Sequence, residues 1–179
     1  MRQKIGIMVA VDKNWRIGGE SDFPLGTLET NMRWLGAIAI ETTIIFGRRT
    51  YESVSAFNPL IFGRPFIVLS RSNSLEVKGS VVCHSALKAL DTAHRLNKSK
   101  EIVAVGGEEI FKEFFPLASH LYIAQSNRRV KGAMKISSLI TMDRWYSGKR
   151  ECHNLGGNET QQSFSFITFE KRKTHPVAV

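Results

Sequence analysis

The feature that most constrains the fold is a series of short, β-branched apolar runs with almost no polar face. Ile5-Gly6-Ile7-Met8-Val9-Ala10-Val11, Thr43-Ile44-Ile45-Phe46, Phe66-Ile67-Val68-Leu69, Ser80-Val81-Val82-Cys83 and Glu101-Ile102-Val103-Ala104-Val105 all read this way. Strands this apolar are covered on both sides, as in parallel sheets. Helical spacing fills the gaps between them. Leu28, Met32, Leu35 and Ile38 mark a helix over 28–39, and Leu87, Leu90, Ala93 and Leu96 mark another over 86–96 with Ser85 as its N-cap. A third runs from Glu108 to Phe115 and is stopped by Pro116. Beyond Pro116, Leu121-Tyr122-Ile123-Ala124 is a strand, and Phe164-Ser165-Phe166-Ile167-Thr168-Phe169 alternates with period two, as a closing antiparallel strand does. The order predicts an α/β fold, with a mainly parallel central sheet and an antiparallel C-terminal hairpin. Its 179 residues fit a single domain, with 171–179 as a flexible tail.

Composition narrows the partners. Lys and Arg number 25 against 16 Asp and Glu, a net charge of +9 that favours anions without naming one. The basic residues are scattered over Arg48-Arg49, Arg71, Lys98-Ser99-Lys100, Arg128-Arg129 and Lys171-Arg172-Lys173, and no aromatic platform accompanies them, which argues against nucleic acid. Cys83 and Cys152 have no metal-ligand or redox spacing; one disulfide is open to them, but two free thiols in a reducing cytosol is the preferred reading. No secretory apolar segment follows Met1, and no run approaches the ~18 apolar residues of a membrane span. A cytoplasmic protein is expected.

Two strand-to-helix junctions carry the chemistry. In Val105-Gly106-Gly107-Glu108-Glu109-Ile110-Phe111 a buried strand meets paired glycines and a helix start. That arrangement is either a pyrophosphate cradle or a tight packing turn, and the Rossmann G-x-G-x-x-G spacing is absent. In Phe46-Gly47-Arg48-Arg49-Thr50-Tyr51 two guanidinium groups and a hydroxyl occupy the first helical turn. Cations there oppose the helix dipole at a cost of up to about 1 kcal/mol unless an anion intervenes. A bound phosphate is therefore favoured over a solvated basic face. Leu69-Ser70-Arg71 adds another hydroxyl and cation at the next strand end. Anion sites at neighbouring carboxyl ends suit a nucleotide, and the 2′-phosphate of NADPH would account for the arginines.

Taken together and in this order, Val11-Asp12, Ile17-Gly18, Phe23-Pro24, Ile45-Phe46-Gly47-Arg48-Arg49-Thr50-Tyr51-Glu52-Ser53, Gly63-Arg64, Leu69-Ser70-Arg71 and Val105-Gly106-Gly107 resemble dihydrofolate reductase. The resemblance covers residues 4–126 closely and the C-terminal hairpin more loosely. It implies the single-domain dihydrofolate-reductase-like fold with about four flanking helices, a monomer, and NADPH as cofactor. By the same resemblance Gly47, Arg48, Arg49, Thr50, Leu69, Ser70 and Arg71 hold the adenosine phosphates. Ala10, Ile17, Gly18, Val105, Gly106, Gly107, Glu108 and Ile110 line the nicotinamide half. Residues 17–24 form a mobile loop over the site. Met8, Val9, Leu35, Val54, Leu60 and Phe111 surround the pterin and aminobenzoyl rings, and Arg64 pairs with the folate α-carboxylate.

Several positions depart from the family pattern. The pterin-facing carboxylate is replaced by Asn31, whose amide keeps the hydrogen-bonding shape but has no charge to support protonation at N5. General acid–base help is worth on the order of 10²–10⁴ in rate. Glu29 points to another face of the helix and Asp22 is a more distant substitute. Leu25 stands for the loop tryptophan, Phe111 for a tyrosine near the nicotinamide, Ala124 for the threonine that bonds the carboxylate, and Ala133 for a loop-tethering aspartate. Asn31 and Ala124 remove the same proton-handling network. Three functions follow: slowed dihydrofolate reduction, reduction of a different imine or pterin by NADPH, or binding of a dinucleotide or folate without turnover.

Overall fold

A computed structural model of the chain describes residues 4–17, 35–39, 42–57, 66–96, 101–127, 129, 134–139, 141–155 and 162–172. The strands are β1 (Lys4–Val11), β2 (Thr42–Gly47), β3 (Phe66–Leu69), β4 (Ser80–Cys83), β5 (Glu101–Val105), β6 (His120–Ser126), β7 (Trp145–Leu155) and β8 (Gln162–Lys171). They form one sheet in the order β4-β3-β2-β5-β1-β6-β8-β7. The first six are parallel, β8 runs antiparallel to β6, and β7 antiparallel to β8. Helices α1 (Arg48–Phe57), α2 (Ala86–Leu96) and α3 (Glu108–Phe114) flank it, and residues 35–39 are also helical.

Alternation of side chains along each strand divides the core in two. Met8, Leu35, Ile44, Phe46, Val54 and Val68 pack on the side covered by α1 and residues 35–39. Ile7, Ile45, Ile67, Ala104, Phe111 and Phe114 pack on the other, beneath α2 and α3. All six residues of β2, Thr42 and Thr43 among them, and all four of β3 are buried, so both strands are covered on each face. Each large side chain so enclosed contributes about 1.5–3 kcal/mol.

The chain leaves β1 for β2, winds outward to β4, and returns to insert β5 between β2 and β1. Winding reverses there, the arrangement in which open α/β sheets bind ligands at the carboxyl ends of the strands. At the opposite end the Tyr122 hydroxyl donates to Glu101 Oε1 at 2.7 Å, crossing over Gly6. A Cβ on Gly6 would lie 2.8 Å from both Glu101 Oε1 and Tyr122 Cε2, so this strand position has no room for a side chain. Burial, and then the bond to Glu101, push the Tyr122 phenol far above its ordinary range and keep it a neutral donor.

Most predicted elements appear, with informative exceptions. Ser85 caps α2 as expected, its hydroxyl accepting the Lys88 N–H at 3.2 Å. Of the expected inner residues, Ala93 is buried and Leu90 packs against the core, whereas Leu87 and Leu96 are 79% and 40% exposed and Ala89 and Thr92 complete the buried face. Alanines let the helix axis approach the sheet more closely than leucines would, and this contact outweighs the leucine periodicity. Helix α3 stops at Phe114, one residue early, with Phe115 as its C-cap. Strand β7 carries no apolar alternation because it lies at the sheet edge, and its pairing shifts register between Ser147 and Arg150. The predicted tail begins inside β8, which reaches Lys171; residues 173–179 lie outside the described residues. Both cysteines are free, Cys83 buried and Cys152 exposed. Among the described residues no helix is long and apolar enough to cross a membrane.

The packing of α2 makes a direct prediction. Leu87→Ser is expected to leave the urea midpoint of unfolding nearly unchanged, whereas Ala93→Leu should cost about 1–3 kcal/mol by overpacking. Equal losses in the two variants would refute the assigned face.

Candidate functional site

Strands β2 and β5 lie side by side, with Phe46 opposite Val105. Their backbones stay in contact past the last pair, where the Gly47 N–H donates to the Gly106 carbonyl at 3.3 Å. A Cβ on Gly47 would sit 2.7 Å from that oxygen and 2.8 Å from Ile110 Cγ1. Gly106 has φ +53°, and a Cβ there would meet Thr50 Oγ1 at 2.8 Å. The Thr50 hydroxyl in turn accepts the Gly107 N–H at 3.2 Å. Two junctions that are 57 residues apart in sequence are thereby joined into one surface. Packing accounts for Gly47 and Gly106. Gly107 is different: at φ +27° a Cβ would meet nothing within 4 Å among the described residues, while its N–H and carbonyl are already engaged by Thr50 and by the Phe111 N–H.

Charge is distributed unevenly over this surface. Helix α3 opens with Glu108 and Glu109, both tied to Lys112, at 2.7 and 3.4 Å. Carboxylates already complement the dipole at that end. The cations come from α1, whose first turn contains no acidic residue. Arg48 Nη1 reaches Glu52 Oε1 at 3.1 Å, with the two side chains 45% and 49% exposed. Such an exposed helical pair is worth only a few tenths of a kcal/mol, so a phosphate competes with it readily. Next along the sheet, Ser70 is buried, and its Oγ accepts the Ser72 N–H at 3.1 Å. Arg71 beside it is exposed. The Ser70 carbonyl faces His84 Nδ1 at 2.8 Å. Sequence reasoning missed His84, because nothing in Val82-Cys83-His84-Ser85 shows that β4 ends beside Ser70.

The apolar residues separate by face. Met8, Leu35, Val54 and Val105 belong to one cluster, on the α1 side. Val9, Leu69, Ile110 and Phe111 belong to the cluster on the opposite side, so their side chains are not brought to Met8. Ala10 lies opposite Ala124, and Ala124 is fully buried against Phe164 and Phe166. The position where the family pattern has threonine thus sits in a closed apolar corner. Beyond β1 the Asp12 carboxylate accepts the N–H groups of Asn14 at 2.7 Å and Arg16 at 2.9 Å. Ile17 then donates to the Met134 carbonyl at 2.8 Å, and Ile136 donates to Trp15 at 2.9 Å, which ties the start of the loop to residues 134–136. Gly18, Leu25, Asn31, Leu60, Arg64 and Ala133 lie outside the described residues. No group of three or more potential metal ligands occurs among the described residues.

Comparison with known proteins converges on one family. The family model for dihydrofolate reductase matches residues 4–171. The type 3 dihydrofolate reductase of Salmonella typhimurium is 24% identical over 169 residues, covering 94% of this chain and 99% of that protein. The dihydrofolate reductase of Buchnera aphidicola subsp. Acyrthosiphon pisum is 31% identical over 128 residues, covering 72% of this chain and 75% of that protein. In three dimensions the chain resembles the dihydrofolate reductase of Enterococcus faecalis, solved in complex with NADP(H) and RAB-propyl. The TM-score is 0.73 at 21% identity, covering 95% of this chain and 97% of that one, a likeness of fold.

The close approach of the two junctions is testable. Gly47→Ala should lower stability by about 1–3 kcal/mol, because the new methyl meets backbone that cannot yield. A thermal melt indistinguishable from that of the parent would show that β2 and β5 are farther apart than described.

Proposed function

The chain belongs to the dihydrofolate reductase family, a membership that implies NADPH-dependent reduction of dihydrofolate, and we propose how its own residues share that work. The observation that carries the reading is the joined surface of Gly47, Thr50, Gly106 and Gly107, with Arg48 and Arg71 alongside. The residues present fit the cofactor: the Cβ side of Gly107 is open among the described residues, and the neighbouring strand ends supply cations for a doubly charged phosphate. In this reading Arg48, Arg49, Thr50, Ser70 and Arg71 hold the adenosine phosphates, while Ala10, Ile17, Gly18 and the Gly106-Gly107 turn border the nicotinamide. When bound, NADPH supplies a hydride for the C6 position of the dihydropterin. Met8, Leu35 and Val54 form the apolar wall that orients the ring and keeps water from its face. Arg64 holds the glutamate carboxylate.

Protonation at N5 falls to water, because Asn31 orients the pterin edge without carrying charge. Ala124 offers no hydroxyl to complete a relay. That apolar corner also supports a second reading, in which the preferred substrate is an imine or pterin that does not require a cationic form. In either case we take the protein to be a cytoplasmic monomer, a reading in keeping with its two free thiols.

Purified protein with NADPH and dihydrofolate should show loss of the NADPH absorbance, at a rate below that of relatives with the full proton network. Asn31→Asp combined with Ala124→Thr should raise turnover at least about tenfold. Unchanged turnover would remove these residues from the pterin site. Replacing Arg48 and Arg71 by Gln should weaken NADPH about tenfold or more beyond any effect on NADH, as loss of charge-assisted phosphate bonds requires. Equal losses for both cofactors would dismiss the 2′-phosphate site.

A further inference from the structure

The chain reverses tightly after β1. The Trp15 N–H donates to the Asp12 carbonyl at 3.0 Å, the Asp12 N–H donates to the Arg16 carbonyl at 2.8 Å, and Val11 then faces Ile17 in an antiparallel bridge. A reversal of this form needs a left-handed residue at its fourth position, where glycine is the usual occupant. Here the occupant is Trp15 with φ +61°, the one non-glycine residue of positive φ among the described residues. A bulky side chain in that region strains the backbone. Glycine would close the same turn without strain, so what tryptophan adds lies in its ring. The indole is half-buried, packs against the cluster beneath α2 and α3, and meets Phe169 of β8 edge-on with ring centroids 6.1 Å apart. The reversal is also one side of a small ladder. The Trp15 carbonyl accepts the Ile136 N–H at 2.9 Å, Arg16 bridges Lys135, and the Ile17 N–H donates to the Met134 carbonyl at 2.8 Å. A ladder this short has little stability of its own. Side chains fix it to the sheet: Ile136, 1% exposed, on one segment and the Trp15 ring on the other.

We propose that Trp15 is a positioning residue for the nicotinamide half of the cofactor: its indole, seated on Phe169 at the expense of a strained backbone, fixes Ile17 in place. This rests on the reading of Ile17 as a border of the nicotinamide. Without the ring the turn still closes, but the ladder of residues 15–17 is free to shift. The binding-competent placement of Ile17 is then occupied for a smaller fraction of the time. Affinity falls by that fraction for a ligand that reaches Ile17 and is unchanged for one that stops short of it. The adenosine half, read above onto Arg48, Ser70 and Arg71, lies at the ends of β2 and β3, away from this reversal.

Calorimetric titration with NADP⁺ and with adenosine 2′,5′-bisphosphate, which lacks the nicotinamide, separates the two halves. Trp15→Gly should weaken NADP⁺ about three- to tenfold and the bisphosphate by less than about twofold. In the ligand-free protein it should speed amide hydrogen exchange at Ile17 and Ile136 about tenfold or more, as local opening of the ladder requires. Trp15→Phe, which restores a ring, should return both readouts to within about twofold of the parent. Phe169→Ala should reproduce Trp15→Gly, and the double variant should bind no more weakly than either single one. Because glycine suits the backbone here, Trp15→Gly should melt above Trp15→Ala, and the reverse order would overturn the left-handed placement on which the proposal is built. Equal losses for both ligands would make Trp15 a general support of the fold and refute the proposal. Unchanged NADP⁺ affinity in Trp15→Gly refutes it too, whatever the exchange rates; if Ile17→Ala still weakens NADP⁺ alone, the reading of Ile17 stands. If Ile17→Ala spares NADP⁺ as well, Ile17 does not border the nicotinamide, and the two fall together.

Discussion

Backbone contact between the ends of β2 and β5 is the constraint on which the rest of the molecule depends. Parallel strands usually diverge into their helices, but here Gly47 and Gly106 remain hydrogen-bonded past the last register pair. Thr50 then closes the gap by accepting from Gly107. The start of α1 is thereby set against the start of α3, with cations on one and carboxylates on the other. Only the absence of side chains at two glycines permits it. Everything attributed to the cofactor side depends on this one approach of main chain to main chain.

The strands were legible because burial on both faces removes polar residues, and β2 and β3 are buried throughout. Elements governed by contacts with distant partners were less so. The leucine spacing of 86–96 was right for Leu90 and Ala93 and wrong for Leu87 and Leu96, since only the sheet beneath the helix selects Ala89 and Thr92 beside Ala93. Strand β7 gave no signal, because an edge strand with one exposed face needs no regular apolar alternation. At the site, Gly47, Arg48, Ser70 and Gly106 could be read from local pattern. The pairing of Thr50 with Gly107 and of His84 with Ser70 could not, since each joins segments whose proximity exists only after the sheet has formed.

The two halves of the site rest on different parts of the scaffold. In the proposed reading the cofactor side is built from strand ends and turns, where glycine geometry and main-chain hydrogen bonds leave few acceptable substitutions. In the same reading the pterin side is built from side chains, Met8 on β1, Val54 on α1 and Ala124 on β6, which the backbone course does not by itself dictate. A chain that keeps its arginines and glycines while losing a carboxylate and a threonine follows this division.

The two borders of the sheet have a consequence for behaviour in crowded solution. One border is β4, only four residues long. The other is the eleven-residue β7, interrupted near Gly148 and carrying exposed Lys149, Arg150 and Glu151. A brief border offers little to template, and a kinked, charged one rejects a flat incoming strand. Both borders thus disfavour edge-to-edge pairing with another copy of the chain.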